Sequence, residues 1–198
     1  MPNFEYENKH YDEGYSAVCG CDEAGRGPLC GPVVAAAVIL PRDVEIEGLN
    51  DSKKLTEKKR EALFEVIKEK AVAYAIAECT PAEKDEYNIL NASMLAMRRA
   101  VEMLKVKADF ALIDGNCSRG FTIPTETVVN GDAKSASIAA ASIIAKVTRD
   151  RLMEQYEEVL PGYGFASNKG YGSAMHIQAI KELGDTPIHR KSFIKNFI

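Results

Sequence analysis

Two acidic residues stand between two apolar β-type runs near the head of this chain, and a glycine-rich turn follows them. Tyr15 to Cys21 alternates or runs apolar like a strand, Val33 to Leu40 is a second such run, and Asp22 and Glu23 fall where the first one ends. The chain is thereby committed to a sheet that carries two charges at a strand end, where burial is costly. Adjacent strand residues point to opposite faces, so Asp22 and Glu23 serve one site only if the strand ends or bulges near Glu23. Gly25 and Gly27 supply such a break, and the Gly25-Arg26-Gly27 backbone could bring its amides to a ligand such as a ribose-phosphate. A hairpin turn with two solvated acids accounts for the same residues. A dinucleotide fingerprint does not: no third glycine stands in register at Leu29 or Cys30, and a strand follows instead of a helix.

The 198 residues suit one domain with a sizeable core. No run of about 18 apolar residues occurs, and Met1 to Glu13 is too polar for a secretory signal, so the expected location is the cytosol, away from membranes. Cys19, Cys21, Cys30, Cys79 and Cys117 form an odd set without a C-x-x-C pair, which argues for reduced packing residues over a disulfide framework or zinc ribbon. A net charge of −4 does not announce a nucleic-acid binder. Its distribution is uneven, however. Met1 to Cys30 holds six acids against two bases, and Ala133 to Ile198 nine bases against six acids. Cations bound by the early acids would neutralise them, while the basic C-terminal part follows a phosphate backbone.

Residues 1–14 read as a loose lead-in packed by Phe4, Tyr6 and Tyr11. Gly48 to Leu55 is a loop before a helix that Thr56 caps, with Leu63, Val66 and Ile67 as its buried stripe. Lys53 and Lys54 precede that helix, and Lys58, Lys59 and Arg60 on it read as a solvated face. Ala71 to Cys79 is a third strand with Val72, Tyr74 and Ile76 alternating. Leu90, Met94, Met97, Val101 and Leu104 mark one face of a helix over 86–104. Asp109 to Ile113 is a buried strand ending on Asp114, which a turn former explains as well as a site beyond the strand end does. Asp132 precedes an alanine-rich central helix and is its candidate N-cap, a role compatible with holding a metal. Pro161-Gly162 ends that helix. Tyr171, between Gly170 and Gly172, is an exposed stacking platform for a base or a loop tyrosine half packed on the surface.

The string Asp22-Glu23-Ala24-Gly25-Arg26-Gly27-Pro28-Leu29, followed by Gly31-Pro32-Val33-Val34, resembles the opening signature of type 2 ribonuclease H, the bacterial ribonuclease HII family. Asn50-Asp51-Ser52-Lys53-Lys54-Leu55, Asn88 to Met94, Ile113-Asp114-Gly115, Gly131-Asp132-Ala133-Lys134, Lys169-Gly170-Tyr171 and His189-Arg190-Lys191-Ser192-Phe193 follow in the family's order, so the resemblance spans about Ser16 to Phe193. Ala133 replaces a serine frequent in the family, which leaves the carboxylate of Asp132 and Lys134 in place.

The resemblance implies an α/β, ribonuclease H-like fold: a mixed five-stranded sheet flanked by helices, in a single domain over 1–198, with a helical C-terminal substrate-binding part over about 161–198. It implies that Asp22, Glu23, Asp114 and Asp132 are catalytic and ligate metal. Oxygen donors without a histidine or cysteine cluster favour Mg2+ or Mn2+ over zinc, two ions activating water and stabilising the leaving oxygen. The implied reaction hydrolyses RNA in RNA-DNA hybrids, and the phosphodiester 5′ of a ribonucleotide embedded in duplex DNA, to 3′-hydroxyl and 5′-phosphate ends. Gly25, Arg26 and Gly27 read the 2′-hydroxyl, and Tyr171 the junction with the next deoxyribonucleotide. Asn50, Ser52, Lys53, Lys146, Lys169 and Arg190 complete the substrate contacts, with Arg149 as a further basic neighbour. The expected state is a monomer. Ribonuclease HIII is the near alternative, disfavoured because about 20 residues precede Asp22; a non-catalytic hybrid-binding module is disfavoured because all four acidic positions are filled.

Overall fold

The computed structural model describes residues 1–196. Five strands form one sheet in the order β3-β2-β1-β4-β5: β1 (Val18–Ala24), β2 (Val33–Ile39), β3 (Ala73–Cys79), β4 (Phe110–Asp114) and β5 (Thr125–Val128). β1 pairs antiparallel with β2, and β2 with β3, whereas β1–β4 and β4–β5 are parallel. This is the mixed sheet the resemblance implies. β2 is buried along its whole length, as an uninterrupted apolar run in a central strand must be.

Helices cover both faces. α3 (Pro81–Met103) packs Ala92, Met94, Ala96, Met97 and Ala100 against Cys19, Cys21, Ala35 and Ala37. Its expected stripe holds, with Leu90 only half-buried. The helix starts earlier than its apolar spacing indicates, because Thr80 and Glu83 form a capping box ahead of Pro81, and it kinks at Asn88, whose φ is 64°. The Asn88 side chain accepts from the amides of Leu90 and Asn91 and so caps the second segment. On β3 the fully buried positions are Ala73, Ala75, Ala77 and Cys79, while Val72 precedes the strand and is exposed.

α4 (Ala136–Val159) crosses the other face, and its alanines meet Ala36 and Val38 of β2 and Leu40 just beyond it. Gly20 makes the approach possible: a Cβ there would sit 2.2 Å from the Ser137 carbonyl carbon. α2 (Glu57–Lys70), capped by Thr56 as expected, packs Leu63, Phe64 and Ile67 beside α4. The short helices α5 (Phe165–Asn168), α6 (Ala174–Leu183) and α7 (Lys191–Ile194) build the C-terminal part around Cys30, Met153, Tyr163 and Phe165.

The N-terminal lead-in is not loose. It forms α1 (Glu5–Asp12), and the buried Glu7 carboxylate accepts from the Ser135 hydroxyl at 2.6 Å and the Ser137 amide at 2.8 Å, satisfying the start of α4. Asp132 is likewise not the cap of α4; it lies in a 3₁₀ turn over Gly131–Ala133, and Ser135 caps the helix.

Candidate active site

β1 carries Asp22 and Glu23 to the end of the sheet and ends at Ala24, one residue past Glu23, where Gly25 turns the chain with a φ of 100°. Its ladder with β2 runs on through Asp22↔Ala36, Glu23↔Ala35 and Ala24↔Val34. Asp22 continues the face of Gly20 toward α4, and Glu23 continues the face of Cys19 and Cys21. Both nevertheless line one cleft, because β4 stops pairing with β1 at Ile113 and the sheet opens beside them. Asp114 ends β4 and enters the same cleft of about 280 Å³. Its Oδ1 accepts from the Gly131 amide at 2.7 Å, which ties the Asp132 turn to the β4 end. A groove of about 1040 Å³ between α1 and the 43–49 loop is larger, but its acids Glu5, Asp12, Asp43, Glu45 and Glu47 are all exposed. Volume alone therefore does not mark it as the reactive centre.

The cleft acids repel one another. Burial first, then the charges of Glu23 and Asp114, push Asp22 well above the ordinary carboxylate range, although it accepts from the Ser142 hydroxyl and the Glu23 amide. Burial and Asp114 raise Glu23 against the opposing pull of Arg26, whose guanidinium lies 3.3 Å away. Burial, Asp114 and Asp51 raise Asp132 despite Lys53, 3.6 Å from its Oδ2. Burial disfavours charge on Lys53, but Asp132, Asp22, Asp51 and Asp114 outweigh it and the ammonium is raised. All four predicted carboxylates thus share one electrostatic neighbourhood, with the Lys53 ammonium among them.

Beneath the cleft lies the Gly25–Pro32 loop, held by two buried arginines. Arg190 was expected to touch substrate; instead it is fully buried and donates to the carbonyls of Gly25 (2.6 Å), Arg26 (3.1 Å), Pro28 (2.9 Å) and Gly31 (2.8 Å). Burial, then the like charge of Arg149, lowers it to about 10. Arg149 is also buried, not a surface cation, and donates to Cys30, Pro32 and Lys169 carbonyls. Across a trans peptide the N–H opposes the preceding C=O, so drawing the Gly25 and Arg26 carbonyls inward turns the Arg26 and Gly27 amides outward. Gly25 has φ of 100°, and a Cβ there would strike Arg149 at 2.2 Å, which is why glycine stands at this position.

The remaining predicted contacts divide. Lys53 and Lys146 line the cleft, the latter held at 2.7 Å by Asp150. Ser52 also lines it, but is buried, with its hydroxyl 2.8 Å from Ser142. Asn50 is not among the residues lining the cleft; its Oδ1 accepts from the amide of Asp51, the residue that caps the following turn. Lys169 is turned to an ion pair with Glu154, so its ammonium does not reach the carboxylates. Tyr171 is 49% exposed beside Gly27, as a platform should be. Sequence reasoning passed over Ser142 and Asp51. The first was legible as a polar interruption in a buried alanine face, the second as another acid in the Asn50–Leu55 loop.

The family model for ribonuclease HII matches residues 19–196. The ribonuclease HII of Clostridioides difficile (strain 630) is 55% identical over 193 residues, which is 98% of this chain and 76% of that protein. Among solved structures, the ribonuclease H2 of Pyrococcus horikoshii OT3 superposes with a TM-score of 0.76 at 29% identity, covering 92% of this chain and 97% of that one. Bst-RNase HIII, solved in complex with Mn2+, gives a TM-score of 0.68 at 19% identity over 91% of this chain and 68% of its own, a likeness of fold alone. Cleft, carboxylates and comparisons agree, and the chain belongs to the ribonuclease HII family.

Proposed function

We propose that Asp22, Glu23, Asp114 and Asp132 hold two divalent cations, Mg2+ or Mn2+, and that the site cuts the phosphodiester 5′ of a ribonucleotide in duplex DNA. The protein is a metal-dependent endoribonuclease of RNA-DNA hybrids; the single embedded ribonucleotide and the ligand set are the finer reading. The observation that carries it is four carboxylates gathered at one sheet end, Asp22 and Asp132 each 5% exposed. Three of them are pushed toward their neutral form by burial and mutual repulsion. Such a set fits hard divalent ions, since every donor is an oxygen and the charge needs neutralising. Bound there, the cations would supply an activated water and stabilisation of the leaving oxygen.

The chain's own groups position the substrate. The outward amides of Arg26 and Gly27 meet the 2′-hydroxyl, which accepts as well as donates. The Tyr171 ring stacks on the base or sugar at the junction. Lys53 and Lys146 flank the scissile phosphate, while Arg190 and Arg149 act from behind the loop. The described residues work as one catalytic domain and as a monomer in the cytosol; none of their helices is long and apolar enough to cross a membrane.

The test is a labelled DNA duplex with one ribonucleotide, incubated with Mg2+, Mn2+ or chelator, and the cut mapped. Cleavage 5′ of the ribonucleotide with 3′-hydroxyl and 5′-phosphate ends, abolished by chelator, is expected. Cleavage of long hybrids but never of this duplex would leave a general hybrid nuclease.

A further inference from the structure

Away from the carboxylates, the C-terminal part buries two histidines and a cysteine together. The nearest ligand-type atoms of Cys30, His176 and His189 lie within 4.8 Å of one another, all three residues buried. A soft metal is the first reading of such a group, and the hydrogen bonds exclude it. The Thr186 amide donates to His189 Nδ1 at 2.9 Å, and an amide can only donate, so Nδ1 carries the lone pair and Nε2 the proton. That proton points at His176 Nε2, 3.1 Å away, which must therefore accept. His176 Nδ1 then bears the second proton and donates to the Tyr171 carbonyl at 2.9 Å. No lone pair on His189 faces the cluster, and Cys30 Sγ stands 4.0 Å from His176 Nε2, a weak contact.

The result is a directed chain from the Thr186 amide through His189 and His176 to the backbone of Tyr171. Each ring nitrogen in it has a defined polarity, and His189 Nδ1 also meets the Thr186 hydroxyl at 2.8 Å. Its surroundings keep it neutral. Burial, then the neighbouring His176, lowers His189 to about 4, and burial lowers His176 as well. The rings are clamped by aromatics, with His176 edge-on to Phe165 at 5.4 Å and His189 tilted on Tyr163 at 5.2 Å. The Tyr171 amide donates to the Asn168 carbonyl at 2.9 Å, which holds one end of its backbone and leaves the carbonyl end to His176 and Ser173. The ring of Tyr171 is half exposed, and the carbonyl otherwise takes only the Ser173 amide at 2.8 Å, two residues on.

We propose that His176 and His189 are positioning residues for junction recognition: their neutral hydrogen-bonded pair fixes the Tyr171 backbone, and so the place of the ring that stacks on substrate. This rests on the reading of Tyr171 as the stacking platform. His176 acts on the substrate only through Tyr171, and His189 only through His176. Their neighbour Arg190 orients the glycine loop, so the dipeptide His189-Arg190 connects both parts of the recognition surface.

The experiment measures kcat and KM on the single-ribonucleotide duplex for wild type, Tyr171→Ala, His176→Leu, His176→Asn and the double variant Tyr171→Ala/His176→Leu, with Tm for each. Asparagine places an N–H near Nδ1 and keeps the bond to Tyr171; leucine cannot. The expected result is that His176→Leu lowers kcat/KM about tenfold, that His176→Asn restores most of it, and that His176→Leu adds nothing in the Tyr171→Ala background. Equal losses in Leu and Asn, or a full further loss in the double variant, would overturn the proposal. A Tyr171→Ala variant with wild-type kinetics would sink the platform reading itself, and this inference with it. A harmed Tyr171→Ala beside an unharmed His176→Leu sinks only the inference. Nitrogen-15 NMR of the wild-type imidazoles stands free of variant folding: a protonated His176 Nδ1 and His189 Nε2 support the chain, and any other tautomer pair refutes it. Stoichiometric Zn2+ uptake by the wild type that Cys30→Ser abolishes would also overturn it.

Discussion

Gly20 offers a way to move the catalytic acids apart without touching any of them. It lies two residues before Asp22 on β1, against the first turn of α4, where an added Cβ would sit 2.2 Å from the Ser137 carbonyl carbon and 2.3 Å from the Ile138 amide nitrogen. Both neighbours are backbone and cannot rotate aside. Ordinary contact begins at 3.4 Å, so in Gly20→Ala strand and helix must part by roughly 1.2 Å. The Asp132 turn travels with α4, because the Ser135 amide donates to the Gly131 carbonyl at 2.8 Å. Asp22 and Asp132 therefore separate by a similar amount. Overpacking of this kind costs about 1–3 kcal/mol of stability, a Tm fall of roughly 2–4 °C per kcal/mol for a chain this long. A misplacement near 1 Å costs about 10²-fold in rate. Single-turnover cleavage of the one-ribonucleotide duplex, Mn2+ affinity by calorimetry and Tm should be measured together. A folded variant with weakened Mn2+ binding and a rate down about a hundredfold is expected. Wild-type rate and Mn2+ affinity would refute the claim that β1–α4 contact sets the spacing of the acids.

Asp22→Asn should abolish cleavage while leaving hybrid binding largely intact, as gel-shift and cleavage assays on one preparation would show. Because burial, Glu23 and Asp114 raise Asp22 in the fold, the folded state holds its proton more tightly than the unfolded chain. In chelator the wild type should then lose stability as pH rises through the raised value. Asp22→Asn should flatten that loss, and an unchanged pH slope would contradict it. His189 behaves oppositely: its folded value of about 4, against an ordinary 6.5, means the unfolded chain protonates first as pH falls. Up to about 3 kcal/mol is lost between pH 6.5 and 4, readable as the difference in urea stability between wild type and His189→Gln, and a constant difference across that range refutes it. Arg190→Lys, which cannot reach four carbonyls with one ammonium, should reduce cleavage of the single-ribonucleotide duplex more than that of long hybrids; equal loss on both would place Arg190 outside loop orientation.

What the sequence displayed and what it concealed follow from where each partner lies. The Asp22–Pro32 string, the carboxylate ending β4 and the Gly131-Asp132 turn are local patterns; the first two meet in one cleft, and the turn is tied to it through Asp114. Arg190 and Arg149 were opaque because arginines ordinarily lie at the surface, and all but one of the carbonyls that hold them, that of Lys169, belong to a loop more than a hundred residues away. α1 was hidden similarly. Its apolar content is slight, and Glu7 is buried only because the start of α4 needs an acceptor. The strand end beside Glu23 was legible from Gly25 and Gly27, whereas the early end of the β1–β4 pairing, beside which Asp22 and Glu23 line one cleft, depends on a strand about ninety residues on and leaves no local pattern.

Anomalous diffraction from crystals of the protein with an uncleavable RNA-DNA duplex and Mn2+ bears most directly on the role of the four acids. Two manganese positions in the cleft are predicted, both coordinated by Asp22, with Glu23, Asp114 and Asp132 completing their oxygen ligands. Manganese absent from this cleft, or ions bound there with Asp114 and Asp132 turned away, would contradict the account.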